Sequence, residues 1–156
     1  MRKKRFLRAV ILLSFFVCIF PGRGYAQHGA DGDMEKWLGM DLETAFKRFG
    51  TPQEVFSYRS AAAADNVVFF YKNHFYLFWY ENRVWVIRFD ERYEGEFLGL
   101  TIGMSRENVL QVLGRAFTEA EDSLVFYLPD RGYPVRLRLF FKGDVLSDAY
   151  LYRGDF

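Results

Sequence analysis

Apolar and polar positions alternate most cleanly over Val135–Phe141. Val135, Leu137, Leu139 and Phe141 fall on one side of an extended chain, with Arg136, Arg138 and Phe140 on the other. Period two is the mark of a strand with one buried and one solvated face. Further strand-like runs cover Val55–Tyr58, Val67–Tyr71, Phe75–Tyr80, Val84–Phe89, Leu124–Leu128 and Val145–Arg153. Short polar turns separate them at Lys72–His74, Glu81–Arg83, Pro129–Gly132 and Lys142–Asp144. Ser60–Ala64 reads as a connection. Phe75–Tyr80 is apolar on both sides, so its pattern leaves two candidate outer sets, Tyr76/Phe78/Tyr80 and Phe75/Leu77/Trp79. An unbroken register matching Phe141 to Tyr80 would turn Leu77 outward beside Arg138.

The helical signals come in pairs. Leu98–Gly114 reads as a loop, a helix start and a short amphipathic helix. Ser105 is a good N-cap, because its hydroxyl can accept from a free amide of the first turn. Val109, Leu110, Val112 and Leu113 form the apolar stripe, and Gly114 suits the left-handed residue that ends a helix. Gly39–Gly50 aligns with Gly103–Gly114 without a gap, with Asp41 as cap and Leu42, Ala45, Phe46 and Phe49 as the apolar face. Repetition of cap, apolar pair and closing glycine indicates an internal duplication. Gly39, Asp41, Phe46, Gly50, Gly103, Ser105, Val109, Leu113 and Gly114 are read as the structural repeat motif. A first helix is expected at Asp33–Leu38, and a matching one in the acidic stretch Asp90–Glu96.

The expected fold is therefore α+β. It has two tandem helix–helix–antiparallel-sheet repeats, at 33–90 and 91–156, with helices on one face and room for the two sheets to be continuous. Residues 1–26 read as a cleaved signal peptide. Arg2, Lys3, Lys4, Arg5 and Arg8 precede an apolar run from Ala9 to Phe20, and Gly24-Tyr25-Ala26 supplies small residues at the cleavage positions. That run is too short to span a bilayer comfortably, so no transmembrane segment is expected after cleavage. Residues 27–32 read as a flexible arm. Cys18 sits in a poor context for lipid attachment.

Charge changes the picture once the leader is set aside. Six of the 21 Lys and Arg lie in it and none of the 20 acids, leaving 15 basic and 20 acidic residues, a net charge of −5. A mildly acidic exported chain is a poor nucleic-acid binder. Removal of Cys18, the one cysteine, leaves no disulfide, so stability must come from a core. The aromatic fraction of 20% can build that core or make a binding surface.

Chemistry is sparse. His28 and His74 lack partners at metal-ligand spacing, so no metal is expected. Ser105 and Ser123 are not in nucleophile contexts, no carboxylate pair is marked for acid–base work, and no cofactor motif is present. No catalytic residue is assigned. The candidate binding residues are Tyr76, Phe78, Trp79, Tyr80, Arg136, Arg138 and Phe140, on a solvent face of the sheet.

Leu100-Thr101-Ile102-Gly103-Met104-Ser105-Arg106-Glu107-Asn108-Val109-Leu110-Gln111-Val112-Leu113-Gly114 resembles the signature of the SmpA/OmlA (BamE-like) family, small lipoproteins of the bacterial outer-membrane assembly machine. Two such units in tandem resemble the β-lactamase inhibitory protein, across roughly residues 33–153. These resemblances imply a non-enzymatic envelope or periplasmic module that binds a protein partner in the envelope or secreted space. The alternatives are a secreted or periplasmic enzyme inhibitor, using Lys72–His74 or Asp130–Tyr133 as a protruding loop, and a small-ligand-binding envelope protein.

Overall fold

The computed structural model describes residues 34–59 and 65–155. The leader, the arm, Cys18, His28 and the Ser60–Ala64 connection lie outside the described residues.

A four-residue 3-10 turn, Met34–Trp37, opens the described chain, and α1 follows at Leu42–Phe49. Four strands then meander: β1 (Glu54–Arg59), β2 (Asp65–Tyr71), β3 (Phe75–Tyr80) and β4 (Arg83–Phe89). A small hairpin of β5 (Glu96–Phe97) and β6 (Leu100–Thr101) leads to α2 (Arg106–Leu113). The chain ends with β7 (Thr118–Glu119), β8 (Ser123–Leu128), β9 (Val135–Lys142) and β10 (Val145–Arg153).

The expectation of two tandem repeats, each with its own helix pair, is corrected here. Eight strands form one antiparallel sheet in the order β1-β2-β3-β4-β10-β9-β8-β7, with both helices contributing to one apolar cluster against it. The joint is the pairing of β4 with β10, which sets Ile87 opposite Leu151 and Phe89 opposite Ala149. All four are buried, so the joint lies in the middle of the core. Each buried Ile, Leu or Phe side chain contributes about 1.5–3 kcal/mol of transfer free energy, so the joint is part of the core and not a seam between two units.

Among the described residues, one α-helix forms on each side of that joint. Where helices were expected at Asp33–Leu38 and Asp90–Glu96, Met34–Trp37 forms the 3-10 turn, and a turn after Asp90 leads into β5. The Asp90 carboxylate accepts from the Arg92 amide at 2.8 Å, and the Asp90 carbonyl accepts from the Tyr93 amide at 3.0 Å. A side chain that satisfies the backbone two residues on competes with helix formation. Leu98 and Gly99 then both take positive φ, 51° and 76°, as a two-residue hairpin turn requires.

The duplicated motif has a clear mechanical task. Asp41 accepts from the Thr44 amide at 2.8 Å and Ser105 from the Asn108 amide at 3.3 Å, so both caps form. The Gly50 and Gly114 amides donate back to Phe46 and Leu110, each at 2.9 Å. Just before each helix, the chain is hydrogen-bonded to the start of a central strand. The Gly39 amide donates to the Val84 carbonyl and the Val84 amide to the Met40 carbonyl, at 2.8 and 3.0 Å. The Gly103 and Leu146 amides make the equivalent pair, at 2.8 and 2.9 Å. Gly39 (φ 76°) and Gly103 (φ 92°) allow this abrupt turn from strand-like pairing into a helix.

The covered face holds the core. Phe75, Leu77 and Trp79 of β3 and Val135, Leu137, Leu139 and Phe141 of β9 belong to one apolar cluster with Trp37, Ala45 and Val109. Trp37 packs against Phe49 and Phe75 with ring centroids 4.6 and 5.4 Å apart. Coverage by α1 is incomplete: Ala45 is fully buried, whereas Leu42 and Phe46 remain about 40% exposed.

Candidate functional site

Side chains of opposite parity form the other face of the sheet. Val68 and Val125, although buried, stand outside the core cluster because they point this way. The strand register arranges the face in rows. One row runs Phe70, Tyr76, Arg88, Tyr150, Arg138, Val125 across β2, β3, β4, β10, β9 and β8. The next runs Phe56, Val68, Phe78, Val86, Tyr152, Arg136, Tyr127, from β1 to β8.

These rows choose between the two outer sets left open by the sequence. Tyr76, Phe78 and Tyr80 are half-buried on this face, while Phe75, Leu77 and Trp79 are buried on the other. Trp79 is therefore removed from the candidate surface: it packs against Phe69 in the core, ring centroids 5.1 Å apart. The expectation that Leu77 turns outward beside Arg138 is also corrected. Tyr76 shares the Arg138 row, and β-bulges at Phe78/Trp79 and Leu146/Asp148 shift the register on either side of the centre.

Arg88 is the centre of the face. Its guanidinium meets both carboxylate oxygens of Asp148, at 2.5 to 3.2 Å. It also lies 5.1 Å from the Tyr76 ring centroid and 5.4 Å from that of Tyr150, within cation–π range. The Asp148 hydrogen bonds raise the Arg88 pKa further, against the opposing effect of burial, so this charge is fixed. Tyr76 donates to Asp90 at 2.8 Å, and burial followed by that hydrogen bond pushes its pKa up. Asp90 is the one buried charged residue among those described. Burial pushes its carboxyl up, but the Arg92 amide, the Tyr76 hydroxyl and the His74 and Arg92 charges outweigh this and leave it below the ordinary carboxylate value.

Arg136 and Arg138 are held differently. Arg136 lies 3.6 Å from the Tyr127 ring centroid, and Tyr127 stacks on Phe117 at 3.9 Å. Arg138 lies 5.9 Å from the Phe140 ring, and Phe140 meets Tyr150 edge-on at 5.7 Å. Among the described residues, no carboxylate lies in ion-pair range of Arg136 or Arg138. Among the described residues, Phe117 and Tyr127 are the most exposed rings, at 65% and 51%.

Sequence reasoning therefore found the outer strands of the arrangement and missed its middle. Arg88, Asp148, Tyr150 and Tyr152 join Tyr76 and Phe78 to Arg138 and Arg136, and Phe117 and Tyr127 extend the surface. The available signal was a lone arginine in the otherwise apolar run Val84–Phe89. The two loops considered for insertion into an enzyme cleft are tied down. Tyr133 donates to the Leu38 carbonyl at 3.0 Å and Arg131 lies 3.5 Å from Glu35. The His74 amide donates to the Tyr71 carbonyl at 2.9 Å, and the Asp90 amide donates to the His74 carbonyl at 3.2 Å.

Among the described residues, no group of three or more His, Cys, Asp or Glu could hold a metal ion, and no helix is long and apolar enough to cross a membrane. No protein-family model and no curated protein matches the chain. Its fold is similar to the solved structure of an extracellular protein containing a SCP domain from Bacillus anthracis str. Ames, with a TM-score of 0.56 and 11% sequence identity. The likeness covers 99% of this chain and 50% of that one, so the chain spans about half of its neighbour's length. The resemblance to SmpA/OmlA lipoproteins and to the β-lactamase inhibitory protein is thereby overturned: the fold goes with an extracellular SCP-domain-containing protein, and the Leu100–Gly114 motif is a helix-entry device of this single sheet.

Proposed function

We propose that the protein is an exported, non-enzymatic binding module that receives a partner protein on the open face of its sheet, with Arg136 and Arg138 meeting acidic groups of that partner. The observation that carries this reading is the arginine–aromatic mosaic spanning β2 to β8 on the face opposite the core. Arginine and tyrosine are the side chains most enriched where binding energy concentrates. Two arginines without carboxylate partners among the described residues, in a chain of net negative charge beyond residue 26, supply local charge complementarity. Export is supported by the leader-like N-terminus and by the extracellular description of the structural neighbour.

The test is affinity capture from extracellular and envelope fractions, followed by titration of each captured protein. A saturable partner whose affinity falls in the Arg136→Ser/Arg138→Ser double variant is expected. Partners that bind that variant unchanged contradict the reading.

A further inference from the structure

A second feature lies on the other side of the sheet. A cleft of about 550 Å³ opens between the end of α1, the Thr51–Gln53 connection and the β2–β3 turn. That volume is within the range that holds a small organic molecule, about 300–1,000 Å³.

Its wall is aromatic. Tyr71 and Phe75 stack with their planes 7° apart and centroids at 4.7 Å, and Phe49 meets both edge-on at 5.6 and 5.2 Å. Its rim is cationic, with Arg48 from the last turn of α1 and Lys72 from the turn. Thr51, Gln53 and Asn73 add neutral hydrogen-bonding groups, and among the described residues no acidic one lines it. Tyr71 is 5% exposed, and its buried hydroxyl makes no hydrogen bond. A buried hydroxyl left without a partner costs stability, so Tyr71 contributes its ring and not a hydrogen bond to the cleft. Burial also pushes the Tyr71 pKa up, which keeps the hydroxyl uncharged.

We propose that this cleft binds a small aromatic anion, its planar body against Phe49, Tyr71 and Phe75 and its acidic group beside Lys72. This inference is independent of the protein-binding face, which lies on the opposite side of the sheet.

The probe is naphthalene-2-carboxylate, titrated into the protein and followed by backbone amide NMR. Neutral 2-naphthalenemethanol and acetate are run alongside. Saturable shifts at Thr51 and Asn73 are expected with the carboxylate, with weaker binding of both controls. Lys72→Gln should weaken the probe about fivefold, the scale of one partly exposed charge pair. Phe49→Ala should weaken it further, because it removes part of the aromatic wall. Equal binding of the neutral probe, of acetate or of the Lys72→Gln variant overturns the proposal. So does the absence of saturable shifts at the cleft.

Discussion

The two faces of the sheet are made by the same strands and differ in what each neighbour asks of a side chain. On the covered face, β3 and β9 present Phe75, Leu77, Trp79, Val135, Leu137, Leu139 and Phe141, all buried. On the open face, the alternate residues are Tyr76, Phe78, Tyr80, Arg136, Arg138 and Phe140. The covered face is held by apolar burial, which is not directional. The open face is held by directed contacts: Arg88 to Asp148, Arg136 over Tyr127, and Tyr76 to Asp90. Fold and proposed function are therefore separable by substitution, one face at a time.

The largest effect should come from the covered face. Leu137→Ala, at a fully buried position, should cost about 2–5 kcal/mol in urea unfolding, from lost transfer free energy and the cavity left behind. A loss well below this range would mean that the covered face is not the core. Next comes the centre of the open face. Asp148→Ala leaves the Arg88 guanidinium, 30% exposed, without its carboxylate. This should cost about 1–3 kcal/mol. Replacing both residues together, as Arg88→Met/Asp148→Leu, should recover part of that loss, measured by a double-mutant cycle.

Asp90 sharpens the comparison through pH. Its folded carboxyl is below the ordinary value of 3.8. It therefore adds stability that is present above that value and lost as pH falls through the folded pKa. Asp90→Asn should be less stable than the wild type at pH 7, and the gap should narrow as the pH falls below 3.8. A gap that does not narrow would show that the carboxylate charge is not what holds Tyr76 and the Arg92 turn.

A smaller effect should follow loss of a helix cap. Ser105→Ala removes the acceptor for the Asn108 amide and should cost about 1 kcal/mol, with partner binding unchanged. Asp41→Ala should act in the same direction. These caps stand before helices on the covered side, so a change in partner affinity would place the binding surface there.

Much of the sheet was legible from residues alone. Period two in β9 reports one buried face, and both its arginines lie on the other, as unpaired charges must. The limits of β3 and β10 also match the pattern, because polar turns bound them. What sequence could not show is the pairing of β4 with β10. That contact joins distant segments, and neither strand carries a local sign of its neighbour. Without it, Tyr76 and Arg138 have no common row. The outer side of β3 was equally hidden, because Phe, Tyr and Trp fit a core and a half-solvated face alike. Acidic residues at 90–96 suggested a solvated helix, whereas Asp90 turned its carboxylate onto the backbone and Tyr93 onto Phe89, ring centroids 4.5 Å apart. The duplicated Gly-Met-cap motif was the most recognisable feature, and its work is to stitch each helix onto a central strand.

The most direct test of the open face as a binding surface uses Arg136→Ser/Arg138→Ser. Arg138 is exposed and Arg136 is half-buried with its guanidinium over the Tyr127 ring, so unfolding free energy should fall by no more than about 1 kcal/mol per substitution. Affinity for a captured partner, measured by titration calorimetry at low and high salt, should fall at least about tenfold and lose most of its salt dependence. Unchanged affinity and an unchanged salt slope would contradict the account.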